Sequence, residues 1–423
     1  MATISNLPDD VLSNNIFIYL PAKLLAQMRC VCKPWNALLS HSSFIKSLMD
    51  CSIFNKHDIL MVFQPGFYFD DLRKFTVHNL VRPHVQLPEF IRLPSFLKKP
   101  YNGSYDIIGS VNGLICFIRT STFYDSVIFI WNPSLGALLP LPPYNVPPGS
   151  RGCYDVLFRF GYDPKTDDYK VVKLTGHLLP PKDKFRASKN LFGTWFYVVK
   201  KWLQVEVYSM RKGSWELITQ PFPSHIARIL DQDYVCVDGH DGRLHWLGYL
   251  DEEHKLQTIV AFNLGVKTFV EISVPDSLQE FHVNEPNVLG VLDGKLCLMS
   301  CATREKCEVW VMNKYGVAGS WEKLYRLSEK SSGKLSPYGF TLNKEFIFDD
   351  SYGHLALYDI IAREAKSFNF RASVIGKPKI VRYVDSLVWV TPPKCGLGVE
   401  ASQTLAGKEK VRRSKRIRKD TPV

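Results

Sequence analysis

The pattern of hydrophobic positions changes along the chain. Between residues 7 and 48, apolar side chains such as Leu12, Ile16 and Leu20 recur at helical spacing, and prolines divide the pattern into short segments. Beyond about residue 100, short apolar runs alternate with turn-forming dipeptides, which is typical of strands. The pattern therefore predicts a small N-terminal all-α domain followed by a larger all-β domain.

The N-terminal domain is predicted to contain three or four short helices. Pro8 suits the first turn of the first helix, and Asp9 and Asp10 complement the positive end of its dipole. Helices in so short a segment bury little apolar surface by themselves. We therefore expect this patch to bind a partner. The alternative is a helical subdomain that caps the larger domain.

The β region repeats one sequence unit. Three stretches contain an Asn-Gly or Asp-Gly dipeptide that leads into an apolar strand: residues 111–117, 240–246 and 292–298. A second apolar strand follows each stretch and ends at an asparagine: Asn132, Asn263 and Asn313. A weaker copy lies at residues 346–359, and strand-like segments at 167–174 and 205–218 fill the interval between the first two clear copies.

These repeats predict a closed, propeller-like body. The glycines of the second and third copies are separated by about 50 residues, the length of a four-stranded propeller blade. Blades bury their faces against one another, so we expect the copies to form one domain. The glycine doublets of kelch repeats are missing, which leaves a β-sandwich or an irregular barrel as the alternative.

The positive charge of the chain is concentrated near its C-terminal end. The net charge is +12, and residues 401–423 contain eight Lys or Arg and two Asp or Glu. Within this segment, Lys415, Arg416 and Arg418 form a dense basic cluster of the kind that directs nuclear import. We therefore predict that the protein occupies both nucleus and cytoplasm. Nonspecific phosphate binding and a merely solvated end are the alternatives.

The cysteines predict a reducing compartment and no metal site. The ten cysteines are scattered through apolar runs without a regular framework. Cys30 and Cys32 are two apart in a predicted helix, so they point away from each other. Cys297, Cys301 and Cys307 lack a matching pair of histidines. The sequence shows no signal-peptide pattern and no apolar run of about eighteen residues, so we expect neither secretion nor membrane insertion.

Two histidines raise the question of catalysis. His240 and His245 flank a hairpin glycine close to several aspartates, and these residue types suit acid–base or metal chemistry. However, His245 occupies the repeat position that Cys116 and Cys297 fill in the sister copies, which favours a structural strand residue. The sequence also lacks a phosphate-binding glycine loop and a Gly-x-Ser-x-Gly elbow. We therefore predict a noncatalytic protein without a cofactor.

The N-terminal segment resembles an F-box. The resemblance is carried, in order and spacing, by Leu-Pro-Asp-Asp at 7–10, Leu-Pro-Ala-Lys at 20–23, Arg-Cys-Val-Cys-Lys-Pro-Trp at 29–35 and Phe44. It implies docking onto the S-phase-kinase-associated adaptor of a cullin-based SCF ubiquitin ligase. The residues predicted to bind the adaptor are Leu7, Pro8, Leu12, Ile16, Leu20, Pro21, Leu25, Val31, Lys33 and Trp35.

The β region resembles the F-box-associated interaction domain of plant F-box proteins, including kelch-type and S-locus F-box members. The motifs that carry this resemblance are GSVNGLICF, FIWNPSLGALLPLP, FGYDPKTDDYKVVKL, VEVYSMRKGSWELI and WVMNKYGVAGSWEKLYRL. Their order is more specific than any one of them, and they span roughly residues 100–395. The resemblance implies a module that recruits a protein substrate.

Together these observations predict four parts of the chain. They are an F-box at 1–50, a connecting segment at 51–100, an F-box-associated β-propeller-like domain at 101–398 and a basic disordered tail at 399–423. The predicted function is the substrate-recognition subunit of an SCF ubiquitin ligase, bound through the adaptor to cullin and holding a protein target for degradation. We expect neither a membrane nor nucleic acid as partner. A nondegradative F-box scaffold and a nucleic-acid-associated protein acting through the tail are the alternatives.

Overall fold

The described part of the N-terminal domain consists of four short helices. A computed structural model describes residues 8–390 except for 55–58, 64–74, 81, 88–90, 92–103, 123–124, 146–153, 180–197, 231–240, 251–255, 279–286, 304–305, 329–335, 342, 350–353 and 372–377. The helices are α1 (Asp9–Asn15), α2 (Ala22–Met28), α3 (Lys33–Ser40) and α4 (Ser42–Phe54), with a 3-10 helix at Phe17–Tyr19. None of the described helices is long and apolar enough to cross a membrane.

The described strands that follow form six antiparallel sheets of four strands each, the blades of a propeller. Blade 1 contains β1 (Ile59–Phe63), β2 (Phe75–Asn79), β3 (Arg82–Gln86) and, beside β1, the last strand β24 (Lys379–Tyr383). Blade 2 contains β4 (Ser104–Val111), β5 (Leu114–Thr122), β6 (Asp125–Asn132) and β7 (Ala137–Pro140). Blade 3 contains β8 (Tyr154–Asp163), β9 (Asp168–Leu179), β10 (Val198–Ser209) and β11 (Ser214–Leu217).

The remaining three blades have the same sequential strand order. Blade 4 contains β12 (Arg228–Leu230), β13 (Arg243–Tyr249), β14 (Gln257–Asn263) and β15 (Thr268–Ser273). Blade 5 contains β16 (Val288–Leu292), β17 (Lys295–Thr303), β18 (Lys306–Met312) and β19 (Trp321–Ser328). Blade 6 contains β20 (Ser336–Phe340), β21 (Phe346–Asp349), β22 (His354–Asp359) and β23 (Glu364–Arg371). The propeller prediction is therefore confirmed over the sandwich and barrel alternatives.

Blade 1 closes the ring by joining distant parts of the chain. β24 pairs antiparallel with β1, so Tyr383 lies opposite Ile59 and Lys379 lies opposite Phe63. Residues 51–100, predicted to be a connecting segment, supply the end of α4 and three strands of blade 1. The propeller therefore begins before the predicted boundary at residue 101. The strand-like pattern of the sequence begins only beyond about residue 100, so these three strands were not predicted.

Tight hairpin turns explain the repeated dipeptides. Asn112 and Gly113 have φ values of 52° and 77°, and Asp293 and Gly294 have values of 54° and 73°. Two consecutive positive φ angles define the turn that best fits the twist of paired strands, and Asn, Asp and Gly tolerate them. These turns join the first and second strands of blades 2 and 5, while the middle copy begins β13 of blade 4. Each sequence copy is thus one blade.

In blades 2 and 4, the asparagine that ends the repeat unit caps the following turn. The Asn132 Oδ1 atom accepts a hydrogen bond from the Leu135 amide at 3.2 Å, and Asn263 Oδ1 accepts one from the Gly265 amide at 2.9 Å. Asp359 performs the same role at the end of β22. A short side chain with an acceptor oxygen closes such a turn by bonding to the backbone ahead of it. Each of these residues therefore ends the third strand of its blade.

A buried ion pair links blades 3 and 4. Lys170 Nζ lies 2.6 Å from Asp163 Oδ2, and the same ammonium donates to the Leu264 carbonyl oxygen at 3.0 Å. Burial alone raises the pKa of Asp163, but hydrogen bonds from Lys170 and Thr166 outweigh it and hold this pKa below its usual value. The charged form of Asp163 is thus favoured by the folded state.

This pKa shift predicts a loss of stability in acid. A carboxylate with a lowered folded-state pKa stabilises the fold above its unfolded pKa, about 3.9, and that stabilisation is lost as pH falls through the folded value. We expect the urea midpoint of the wild type to fall between about pH 5 and pH 3, and to fall less for Asp163→Asn, which does not ionise. Asp359→Asn, at an exposed turn, is the control. Equal pH dependence in the wild type and Asp163→Asn would contradict the assignment.

Candidate functional site

The helical domain has its own small core. Leu12, Phe17, Leu25 and Leu39 are buried together, and the Trp35 ring packs edge-to-face on Phe17 with ring centres 5.2 Å apart. The helix α4 adds its own buried side chains to this cluster, Phe44 and Leu48. Four short helices supply few apolar side chains, so each of these contacts matters for stability.

The same domain exposes several large apolar side chains. The exposed fractions are 67% for Tyr19 and 65% for Val31, with 38% for Ile16 and 42% for Leu24. Scattered exposed apolar residues are ordinary on a protein surface, but four within a domain of about 50 residues are a concentration of the kind found at interaction sites. We call Ile16, Tyr19, Leu24 and Val31 the apolar surface of the helical domain.

The structure separates the predicted contact residues into three groups. Five are exposed: Pro8, Ile16, Pro21, Val31 and Lys33. Leu20 and Trp35 are half-buried and pack against the helical core. Leu12 and Leu25 are 2% and 0% exposed, so the prediction of direct contact is corrected for these two side chains, which instead hold the domain together. Leu7 lies outside the described residues.

Sequence reasoning missed Tyr19 and Leu24 as surface residues. Adjacent positions on a helix point about 100° apart, so a Leu24-Leu25 pair cannot face the core with both side chains. Leu25 takes the inner position and Leu24 the outer one. Tyr19 lies in the last position of the 3-10 helix, immediately before the Leu20-Pro21 turn. The position of Tyr19 next to this turn is the feature of the sequence from which its exposure could have been predicted.

A polar cleft of about 160 Å³ lies between blades 4 and 5. The guanidinium carbon of Arg243 lies 4.2 Å from the centre of the Tyr315 ring, and its Nη1 atom is 3.1 Å from Asp241 Oδ2. Lys295 Nζ donates to Asn313 Oδ1 at 2.9 Å. Arg243 and Lys295 both line this cleft, and two cations suit a negatively charged peptide side chain.

The cleft and the helical domain lie on the same rim of the propeller. Antiparallel blades place the turns between their first and second strands, and between their third and fourth, at one end of the ring. The cleft is lined by such turn residues of blade 5, Gly294 and Tyr315. The helical domain contacts the corresponding turn of blade 2 through Leu135. Blades 2 and 5 are opposite one another in a ring of six.

His245 and the cysteines have structural surroundings. His245 is buried in β13, and its Nε2 atom lies 2.9 Å from Tyr315 Oη, an arrangement that fits the predicted strand role. Burial raises the pKa of the Cys297 thiol, which keeps it neutral and a poor nucleophile. Among the described residues, no three His, Cys, Asp or Glu side chains are grouped as metal ligands. His240 and the basic cluster at Lys415, Arg416 and Arg418 lie outside the described residues.

Comparisons with known proteins agree with this architecture. The family described as "F-box associated beta propeller domain" matches residues 66–371, and the family described as "F-box-like" matches residues 4–49. Similar Arabidopsis thaliana proteins include F-box protein CPR1, 29% identical over 80% of this chain and 76% of that protein. F-box/kelch-repeat protein At3g23880 of the same organism is 24% identical over 75% of this chain and 79% of that protein. The chain therefore belongs to the F-box associated beta propeller domain family and carries an F-box before its propeller.

Proposed function

We propose that this protein is the substrate-recognition subunit of an SCF ubiquitin ligase. The observation that carries the proposal is the apolar surface of the F-box, formed by Ile16, Tyr19, Leu24 and Val31, which stays exposed although the domain is otherwise packed. Four large apolar side chains exposed on one small helical domain are best explained by a protein interface. The S-phase-kinase-associated adaptor is the partner that an F-box implies, with cullin bound beyond it.

The protein contributes proximity to the reaction and no chemistry of its own. The described part of the propeller offers a polar cleft and buried structural ion pairs, and its buried cysteine Cys297 is held neutral. Holding a target next to the transfer machinery raises the effective concentration of its lysines. Ubiquitin transfer is then carried out by the other subunits of the ligase. The propeller is accordingly the part that selects the target.

A charge placed in the apolar surface is expected to weaken adaptor binding. Val31→Asp should lower affinity for the purified adaptor at least about tenfold, because a carboxylate must be desolvated in the interface. Binding is measured by isothermal titration calorimetry with the full chain. Ile361→Asp is the control, since Ile361 is 91% exposed in the turn between β22 and β23 of blade 6 and belongs to the propeller. Full affinity of Val31→Asp for the adaptor would contradict the surface assignment.

The cleft between blades 4 and 5 is the proposed target contact. Proteins that copurify with the tagged chain under proteasome inhibition are identified by mass spectrometry. Arg243→Glu should deplete the target at least about tenfold, because it reverses the charge that receives an acidic side chain. Arg326→Glu is the control, on an exposed ion pair at the outer strand of blade 5.

In the same experiment, Val31→Asp should keep the target bound and lengthen the lifetime of the target. Loss of the target in Val31→Asp would contradict this division of roles between the F-box and the propeller.

The basic cluster in the C-terminal segment is proposed to direct nuclear import. Lys415, Arg416 and Arg418 are surrounded by further Lys and Arg residues. We expect fluorescently tagged protein to be depleted from the nucleus when these three residues are changed to Ala and when the chain is truncated at Ala406, since a 48.4 kDa chain with its tag diffuses poorly through nuclear pores. An unchanged distribution in both variants would reject the import role.

A further inference from the structure

The described part of the chain ends in a segment that lies between the propeller and the F-box. Residues 384–390 follow β24 and have no regular secondary structure, yet Val384, Ser386, Leu387 and Val390 are buried. We propose that residues 384–390 are a strap that fixes the F-box on the propeller, and that Asp385 within this strap is a positioning residue for the adaptor-binding surface. The attachment is independent of the proposed function, whereas the effect on the adaptor rests on it.

The propeller holds the strap through one repeat asparagine. Asn132 Nδ2 donates to the carbonyl oxygens of Ser386 at 3.0 Å and Val388 at 2.8 Å. The Ser386 amide donates to Ser134 Oγ at 3.1 Å. Asn263 is the equivalent residue of blade 4, where it caps the turn that follows it. The strap crosses blade 2 and not blade 4. In blade 2, Asn132 thus caps its turn with Oδ1 and binds the strap with Nδ2.

A glycine of blade 2 makes room for the strap. A Cβ atom on Gly113 would clash with the Val384 carbonyl oxygen and would lie 2.6 Å from the Ser386 Cβ atom. At the equivalent turn of blade 5, a Cβ atom on Gly294 would meet nothing within 4 Å among the described residues. Both glycines have positive φ, so the turn alone accounts for glycine at either position. At the equivalent Gly242 of blade 4, the close neighbour is a propeller side chain, with Pro164 Cδ at 2.9 Å from a Cβ atom, so close approach by the strap backbone is a feature of blade 2.

The strap also completes the F-box core. Leu387 is fully buried among the helices and packs with Leu12, Leu25 and Leu39. On the neighbouring side, Val388 packs with the apolar residues between blades 2 and 3. Complete burial removes the leucine side chain from water, which is a substantial hydrophobic stabilisation for a domain this small. The F-box core is thus built partly from a residue that lies far from it in the sequence.

Asp385 caps the helix α2 from the strap. Its Oδ2 atom accepts a hydrogen bond from the Ala22 amide at 2.6 Å, across a separation of 363 residues. Ala22 is the first residue of α2, and the preceding Pro21 supplies no side-chain cap. A carboxylate at this end of a helix satisfies a free amide and complements the helix dipole. Asp385 therefore performs the role that a local Ser, Thr or Asp usually performs.

Tyr383 holds the capping carboxylate in place. Its hydroxyl donates to Asp385 Oδ1 at 3.0 Å and lies 2.9 Å from Ser134 Oγ. Burial and the nearby charge of Asp385 raise the pKa of Tyr383, so the hydroxyl remains a donor at physiological pH. Since Tyr383 is the last residue of β24, the cap is anchored in the strand that closes the ring.

This arrangement connects the propeller to the adaptor-binding surface. α2 carries the exposed Leu24 and is followed by the turn that leads to the exposed Val31. Loss of the cap is expected to loosen α2 and thereby raise the entropic cost of binding an adaptor at this surface. Asp385 acts through the helix and is itself no member of the apolar surface. Adaptor affinity is therefore expected to depend on residues of the propeller.

Hydrogen exchange of the full chain without adaptor tests the attachment. Asp385→Ala removes the cap of α2, and Asn132→Ala releases the strap that carries this cap. Each should speed exchange of the α2 amides at least about fivefold. Asp385→Asn keeps an acceptor oxygen and should restore most of the protection. Asn263→Ala is the matched control, because it removes the same turn cap from a blade that the strap does not cross. Exchange of the β5 amides confirms that blade 2 remains folded in Asn132→Ala.

Adaptor affinity of the same variants tests the positioning role. We expect Asp385→Ala to weaken adaptor binding at least about threefold, Asp385→Asn to restore it and Asn263→Ala to leave it unchanged. Unchanged α2 exchange in Asp385→Ala would overturn the attachment by the strap. Faster exchange with unchanged adaptor affinity would overturn the positioning role. Absence of adaptor binding by the wild type would instead contradict the proposed function. The exchange experiment would still test the attachment by the strap, because it is carried out without the adaptor.

Discussion

The pairing of β24 with β1 is the contact on which the rest of the structure depends. It closes the six-bladed ring and places Tyr383 directly opposite Ile59. The F-box ends just before β1, and residues 384–390 begin just after β24. Ring closure therefore brings both attachments of the F-box to one corner of the propeller. Without this pairing, neither the capping of α2 by Asp385 nor the burial of Leu387 has a fixed geometry.

Closure also explains how a small helical domain is stable beside a large one. An F-box of about 50 residues buries a limited apolar area, and part of its core comes from Leu387. The helical domain thus combines two of the roles considered from the sequence: it packs against the propeller and still exposes Ile16, Tyr19, Leu24 and Val31 to a partner. In the proposed ligase, such an arrangement holds the target site at a constant distance from the adaptor.

Local patterns predicted most of the fold. The Asn-Gly and Asp-Gly turns and the terminal asparagines marked blades 2, 4 and 5. The paired positive φ angles of blades 2 and 5 and the asparagine caps of blades 2 and 4 are short-range features with a direct backbone cause. Blade 1 was missed because its defining contact joins residues 59–63 to residues 379–383. The cap by Asp385 was missed for the same reason, since nothing near Pro21 indicates where the acceptor lies. Long-range contacts have no local signature in one sequence.

The same limit applies to the candidate site. The F-box motif placed the predicted contacts within the helical domain, but periodicity alone did not decide which member of the Leu24-Leu25 pair faces outward. Inward placement of Leu12 and Leu25 depends on how the four helices pack around Phe17 and on the arrival of Leu387. On the propeller, the cleft depends on neighbouring blades meeting, so Arg243 and Tyr315 are brought together only by the closed ring.

The central claim, that F-box and propeller form one rigid unit, is tested most directly by a distance measurement. Spin labels carried by a noncanonical amino acid at the exposed positions Lys23 and Ile361 report the separation between α2 and blade 6 by double electron–electron resonance. The account predicts a single narrow distance distribution in the full chain, with or without the adaptor. A broad distribution, as expected for two domains joined by a flexible linker, would contradict it.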